Sequence, residues 1–291
     1  MAARIPPHVQ VLLRSLNFDR PATIVDVGAN PVNEAPYTAL LKAGGCRVVG
    51  FEPQDDAFAA LQVAKTPNET YFPHAVGDGA PARLRIFAIS GLTSTLAPHD
   101  AGLALVGGPK WRRVVDEVEM ETVTLDGLAD LPPFDLLKID IQGGENAVFR
   151  HAERVMAEAT AVIVELRYLR LYEDEPMMGG VDCELRRQGF ELHRFLFNKT
   201  VVLPSSMASR LRPRRAADQL LDGDAVYIRD LTGIAGWTAG QVARLALLAA
   251  AVFDSHSLVL HLLDDLVRRK VAKPGLPEAY LNAMPPELVQ G

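Results

Sequence analysis

Two apolar runs that each stop on an acid constrain this chain more than any other feature. Residues 23–30 read TIVDVGAN and residues 47–53 read RVVGFEP. Each starts as a β-branched, apolar stretch typical of a buried strand, then turns into small and polar residues that suit a tight loop. In an open parallel sheet, ligands bind in the crevice outside the carboxyl ends of the strands, which places Asp26, Gly28 and Asn30 at the expected lip. Gly28 has no Cβ, tolerates positive φ and lets the backbone approach a ligand. The second run ends on Glu52, 24 residues after Gly28. That is near the spacing of roughly 20 at which an acid meets a ribose diol in dinucleotide folds. A single acid at a strand end is ordinarily a solvated cap; two at this spacing point to a nucleoside-bearing ligand.

The same grammar continues along the chain. Residues 8–17 read as a lead-in helix covering an edge of the sheet, since Val9, Leu12, Leu13 and Leu16 share one face. Residues 34–43 suit a helix ended by Gly44-Gly45, residues 55–64 a second helix, and residues 70–76 a third strand that stops at Gly77-Asp78. Asp78 therefore joins Asp26 and Glu52 at the lip. Residues 83–89 alternate as a further strand, residues 90–113 read as a loop with a helical piece, and residues 114–125 alternate like a strand with one wet face. Pro132-Pro133 precede FDLLKIDI at 134–141, an apolar central strand interrupted by Lys138 and Asp140, which alternation puts on one face. A turn at 142–145 leads to a helix over 146–158. A fifth core strand over 161–166 closes on Glu165, a helix over 178–188 and a strand over 190–197 follow, and a last short strand covers 225–229.

Repeated strand–helix–strand units of this length call for an α/β fold with a doubly wound, mostly parallel sheet. From Thr238 onward the pattern is helical. Residues 238–253 and 257–270 form an expected antiparallel hairpin with Asp254-Ser255 as its bend and Ser255 as N-cap. Residues 242–253 are apolar almost all round, so that helix must be buried against the sheet domain or a second subunit. The Pro-rich residues 274–291 are expected to be loosely held. These readings divide the chain into a lead-in helix (1–20), a ligand-binding sheet domain (21–232) and a helical extension (233–291).

Charge and composition narrow the classes. A net charge of -6 and a pI near 5.7 oppose a nucleic-acid binder, whose footprint would be basic. Cys46 and Cys183 are the only cysteines, with no CxxC pair, so neither a disulfide framework nor a cysteine zinc site is indicated. A reducing, cytoplasmic setting is the simplest fit. The N-terminal apolar run is too short for a signal peptide, and nothing supplies the ~18 apolar residues of a membrane span.

The segments DVGAN, FEP, AVGD, TLDGL followed by DLLKIDIQGGE, and VIVEL stand in one order at compatible spacing. Together they resemble the FkbM family of S-adenosylmethionine-dependent methyltransferases over residues 20–230. The resemblance implies a seven-stranded class I methyltransferase sheet whose last strand is antiparallel, with S-adenosyl-L-methionine as cofactor. It also implies O-methylation of a hydroxyl on a sugar, glycolipid or natural product. Residue by residue, Asp26, Gly28 and Asn30 would flank the methionine part of the cofactor, Glu52 would hold the ribose and Asp78 would lie beside the adenine. The family usually continues DVGAN with an apolar residue and a glycine, whereas Pro31-Val32 stand here. Pro31 fixes φ and removes a backbone donor, so this loop is expected to run differently.

Methyl transfer to oxygen requires alignment, exclusion of water and removal of one proton. Asp140 or Glu165, at the ends of adjacent strands, is the expected general base, with Lys138 and Glu145 close by. Lys138 either keeps those acids ionised or forms a buried structural pair with Asp140 and Glu145. No metal is expected, although three acids offer oxygen ligands to a divalent cation. Two segments are candidates for choosing the acceptor. Residues 168–180, beginning at Tyr168, suit a mobile cover or an ordinary acidic connection. Arg210, Arg212, Arg214 and Arg215 follow the sixth strand and suit a phosphate or carboxylate on the acceptor, or form a solvated loop. The histidines lack metal-ligand spacing. A nicotinamide-dependent dehydrogenase is the enzymatic alternative, opposed by the missing G-x-G-x-x-G. A degenerate methyltransferase-fold protein that binds a partner is the other. A homodimer through the terminal helices completes the expectations.

Overall fold

The computed structural model describes residues 5–30, 34–107 and 109–290. Pro31 and Val32, on which the expected change of loop path rests, lie outside them. Pro6 and Pro7 open helix α1 (Pro7–Ser15), where missing N–H groups cost nothing. Strand β1 (Ala22–Val27) is buried at all six positions. Helix α2 (Thr38–Lys42) begins later than the sequence pattern implies, because the Ala35 carbonyl accepts both the backbone N–H and the hydroxyl of Thr38 and so fixes the first turn there. Strand β2 (Cys46–Phe51) and helix α3 (Asp55–Ala64) follow. The expected third strand divides into β3 (Glu69–Phe72) and β4 (Ala75–Val76); Pro73 between them has no ladder donor.

Strand β5 (Ala82–Phe87) pairs with β6 (Val114–Met120) in a separate antiparallel ribbon, and β4 pairs with β7 (Thr122–Val123). The alternating stretch over 114–125 is thus no edge of the main sheet. Helix α4 (Asp100–Val106) lies in the long connection between β5 and β6. Strand β8 (Leu136–Ile139) is followed by two helices in place of the expected one, α5 (Glu145–Arg150) and α6 (Glu153–Met156). Asp126 causes the break: its carboxylate accepts the backbone N–H groups of Arg154 and Val155, capping α6, while its own N–H reaches the His151 carbonyl. Strand β9 (Ala161–Arg167), helix α7 (Met178–Arg187), strand β10 (Phe190–Val201), the single turn α8 (Pro213–Ala216) and strand β11 (Gln219–Arg229) complete the sheet region.

Seven strands form the main sheet in the order β10-β11-β9-β8-β1-β2-β3, parallel except for β11, which is antiparallel to both neighbours. Alternation sends successive residues to opposite faces. Ile24, Val48, Leu136, Ile163 and Val226 join one core; Val25, Val49, Leu137, Val162 and Tyr227 join the other, with α5, α6 and α7. The chain runs outward from β1 to β3, then returns to β8 on the other side of β1. The β1–β8 boundary is therefore the topological switch point, where a crevice opens at the carboxyl ends.

The C-terminal helices α9 (Ala239–Ala251), α10 (His256–Arg268) and α11 (Leu276–Asn282) share the first core with the sheet. Residues 242–250 of α9 are all buried, in keeping with its lack of a polar face. Arg244 is the exception in charge, and its guanidinium meets Asp135 (2.7 Å) and Asp19 (2.5 Å). Arg20 also holds Asp135, at 2.6 Å, and the Thr23 backbone N–H donates to the same carboxylate at 2.8 Å. Helix α1 packs on α9 and α11 through Val9 and Leu12 and does not cover a sheet edge. The stretch expected to be loose contains α11, whose Leu276 and Tyr280 are buried, with the Tyr280 hydroxyl 2.7 Å from His256 Nδ1. Thr238 closes a capping box with Gln241 at the start of α9. Ser255 occupies the N-cap position of α10 but does not cap it, because its hydroxyl turns to His193 Nε2 at 3.0 Å and to the Phe253 carbonyl. Among the described residues no helix is long and apolar enough to cross a membrane, and Cys46 and Cys183 are free thiols.

Candidate active site

A cleft of about 1320 Å³ lies across the switch point. That exceeds the ~300–1,000 Å³ of an ordinary single-ligand pocket and leaves room for two ligands side by side. Asp26, Gly28, Ala29, Asn30, Glu52 and Asp78 line the half beside β1 and β2; Asp140, Gln142, Glu165, Asp222 and Asp224 line the half beside β9 and β11, with Lys138 between.

In the first half, β1 delivers Asp26 buried at its end. The Tyr37 hydroxyl donates to Asp26 Oδ2, and burial together with that carboxylate drives the tyrosine pKa up, so the phenol stays a donor. Lys138 Nζ lies 3.1 Å from Asp26 Oδ1, an ion-pair distance without hydrogen-bond alignment. Burial lowers the lysine pKa, but Asp26, Asp140 and Asp224 outweigh it, and Lys138 remains charged. Its first partner is therefore Asp26; the buried pair with Asp140 and Glu145 does not form. Gly28 adopts φ +80°, and a Cβ there would sit 2.1 Å from the Asp140 carbonyl oxygen. The glycine serves the close passage of the β1 loop against the β8 loop, where the sequence pointed to a ligand approach. Glu52 is buried at the end of β2 and accepts the Gln54 N–H at 2.9 Å. Burial raises its pKa while the Gln54 hydrogen bonds pull against the rise. Asp78 is exposed on the wall and accepts the Ala80 N–H at 2.9 Å. Asn30 is exposed on the same wall.

The second half is built around Arg167, which is 4% exposed. Its guanidinium donates to Glu175 (2.9 Å), Asp222 (3.0 Å), Glu165 (2.9 Å) and the Gln142 side-chain carbonyl (2.9 Å). Gln142 in turn donates to Asp140 (2.9 Å) and Glu165 (2.7 Å) from one amide nitrogen. Its backbone stands at φ 59°, a left-handed conformation that non-glycine residues seldom take. Burial and the Asp140 charge raise the Glu165 pKa well above the usual carboxylate range, against the pull of Arg167. Glu145 leaves the candidate set. Its carboxylate accepts the backbone N–H groups of Ile141 (3.0 Å) and Gly143 (2.9 Å), burial lifts its pKa to about 7, and it closes the turn from inside the fold instead of facing the cleft.

Three expectations about the acceptor side change. Residues 168–180 are not a mobile cover. Leu171 and Tyr172 are fully buried, Glu175 accepts their N–H groups and binds Arg167, and the Tyr172 hydroxyl donates to the Leu92 carbonyl at 2.8 Å. Tyr168 lies outside the cleft wall, its hydroxyl donating to Asn198 at 2.7 Å. Arg212 and Arg214 are exposed on the β10–β11 connection, also outside the wall. Asp222 and Asp224 occupy the wall at that end, with Lys199 3.5 Å from Asp222. His99 and His151 lie off the cleft as well; His99 caps α4 and His151 bonds the Ala147 carbonyl.

The residue missed in the sequence is Asp224. It sits in β11 directly across from Glu165 in β9 and lines the cleft. Burial, reinforced by Asp140 and opposed by Lys138, raises its pKa from 3.8 to about 6. No described residue donates a hydrogen bond to its carboxylate. The signal was the alternation of Asp222 and Asp224 upstream of the apolar run, which extends the strand back to Gln219.

A family model described as the methyltransferase FkbM domain matches residues 26–192. The chain belongs to the FkbM methyltransferase family. Among solved structures it is similar to the magnesium protoporphyrin IX methyltransferase ChlM of Synechocystis PCC 6803 with bound SAM, at 11% identity and TM-score 0.38, covering 76% of each chain. It is also similar to the precorrin-6y C5,15-methyltransferase of Geobacter metallireducens GS-15, at 11% identity and TM-score 0.35, covering 76% of this chain and 87% of that one. No sequence match among curated proteins reaches significance. An FkbM methyltransferase takes S-adenosylmethionine, and the first half of the cleft fits that cofactor. The acids Asp26, Glu52 and Asp78 stand at the strand ends that line it, as suits a cationic nucleoside, and Asp26 holds the charge of Lys138 beside them. Among the described residues no group of three or more His, Cys, Asp or Glu side chains is arranged to hold a metal ion.

Proposed function

We propose that this FkbM methyltransferase O-methylates a hydroxyl on a sugar, glycolipid or natural-product acceptor, with a carboxylate as general base. The observation that carries this reading is Asp224, a cleft carboxylate with no donor holding it among the described residues and a pKa raised to about 6. A base is most effective when its pKa lies near the working pH. Asp140 and Glu165 share the Gln142 amide, and Glu165 also receives Arg167, so both are committed as acceptors. They are better suited to orient acceptor hydroxyls than to leave with a proton.

S-adenosylmethionine, when bound, supplies an electrophilic methyl group on a sulfonium. Glu52 would take the ribose hydroxyls, Asp26 and Asp78 the charged and adenine ends. Lys138, compensated by Asp26, holds the negative character of the cleft in check between the two halves. Asp224 accepts the acceptor's hydroxyl proton and returns it to solvent.

The test is calorimetric titration of the protein with S-adenosylmethionine and S-adenosylhomocysteine, followed by transfer of radiolabelled methyl to a panel of hydroxylated saccharides and polyketides. Saturable cofactor binding with base-stable label on a hydroxylated acceptor supports the reading. Label confined to amines would replace it with N-methylation.

A further inference from the structure

The connection between β10 and β11 differs in character from the rest of the molecule. Residues 202–218 carry four arginines and one acid, Asp218, in a chain of net charge -6. Arg210, Arg212, Arg214 and Arg215 are all exposed, and their side chains make no ion pair or hydrogen bond with any described residue. Arg167, Arg187, Arg244 and Arg269, by contrast, each meet acids, and the other exposed arginines without a side-chain partner among the described residues, such as Arg47 and Arg170, are not gathered four in six residues. The same connection gathers exposed aliphatic side chains. Leu203 (41%), Met207 (57%) and Leu211 (44%) stand out from it, with Phe197 (55%) and Leu220 (42%) on the strands at its base. Met207 and Leu211 are four residues apart, interleaved with the arginines.

Its position matters. β10 lines the cleft through Phe197 and Lys199, and β11 through Asp222 and Asp224. The connection therefore rises from the two strands that wall the acceptor half, at the carboxyl end of β10.

We infer that residues 202–218 form a face that seats on an anionic lipid surface and brings a membrane-held acceptor to the mouth of the cleft. Unpaired guanidinium groups complement anionic headgroups, and aliphatic side chains among them suit the headgroup–acyl boundary. A single-stranded nucleic-acid surface would interleave aromatic platforms with its cations, whereas residues 202–218 contain none and Phe197 stands at their base, apart from the arginines. The inference deepens the proposed function, since it makes the acceptor lipid-linked, but lipid binding is measured without turnover.

The experiment is co-sedimentation of the full chain with vesicles of phosphatidylcholine alone and of phosphatidylcholine mixed with phosphatidylglycerol, across a salt series. The wild type is expected to partition onto the mixed vesicles only, more weakly as salt rises. Each basic residue near such a surface contributes about five-fold, so the double reversal Arg212→Glu/Arg214→Glu, which removes two attractions and adds two repulsions, should lower partitioning by ~10²- to 10³-fold. Met207→Ser/Leu211→Ser should abolish the binding that survives high salt. Near-UV circular dichroism verifies that each variant is folded. Equal partitioning of wild type and the charge-reversed protein overturns the inference. So does retention of a single-stranded RNA oligonucleotide with the same arginine dependence when vesicles are not bound. A failure to find any methyl acceptor leaves the vesicle result standing, and absent vesicle binding leaves O-methylation standing.

Discussion

Replacing Asp224 by asparagine should make the protein more stable and less active at the same time. An aspartate that titrates near 3.8 when unfolded and at about 6 in the fold binds its proton more tightly in the native state. Stability is then full below pH 3.8, and it declines as pH rises through the interval up to about 6, because the folded protein must give up a proton that the unfolded chain has already lost. Above pH 6 the accumulated cost is about 3 kcal/mol at most, taking ~1.4 kcal/mol for each tenfold change in proton affinity. An amide in place of this carboxylate would carry no charge to desolvate. Urea unfolding at pH 8 should therefore show Asp224→Asn more stable than wild type by up to ~2–3 kcal/mol, with the difference shrinking toward pH 4. Methyl transfer by the same variant should drop by ~10²- to 10⁴-fold, the range of a lost general base. In the wild type, the rate should fall tenfold per pH unit below about pH 6. Equal stability of the two proteins at pH 8 would refute the raised pKa and, with it, the physical ground for assigning the base to Asp224.

Other perturbations test other parts of the site. Glu52→Ala removes a charged acceptor for the ribose hydroxyls and should weaken S-adenosylmethionine binding by ~10- to 150-fold in calorimetry, equivalent to about 1.5–3 kcal/mol. Gly28→Ala forces a Cβ to 2.1 Å from the Asp140 carbonyl at φ +80°; chemical denaturation should show a loss of at least ~1–3 kcal/mol, and cofactor affinity should fall with it. Asp135→Ala leaves Arg20 and Arg244 without their shared carboxylate and should cost about 3–5 kcal/mol in urea unfolding.

The strands beside the switch point were legible because β1, β2, β8 and β9 are largely buried on both faces and read as mostly apolar runs with an acid at or near the end. Asp26, Glu52, Asp140 and Glu165 follow from those ends. What escaped depended on partners remote in sequence. Asp126 splits one helical pattern into α5 and α6 from 28 residues away. The two aspartates that begin the apolar part of β11 read as loop until Arg167 and Glu165 appear opposite them. Glu145 was a candidate because the sequence pattern sets it close to Asp140 and Glu165, yet backbone donors from its own turn consume it. Leu276 and Tyr280 of α11 lie in a Pro-rich stretch with too few apolar residues to announce a helix, and only the face offered by α1 and α10 gives them a place.

Arg244 has a bearing on the order in which the molecule can be completed. Asp135 stands just before β8 and faces the entry of β1, while the guanidinium that neutralises it from α9 is 109 residues further along. During synthesis, β1 and β8 emerge well before this counter-charge. The sheet can assemble its hydrogen bonds, but the Asp135 carboxylate keeps only Arg20 and the Thr23 N–H until α9 docks. The core that α9 shares with the sheet is thus completed only when the late helices arrive.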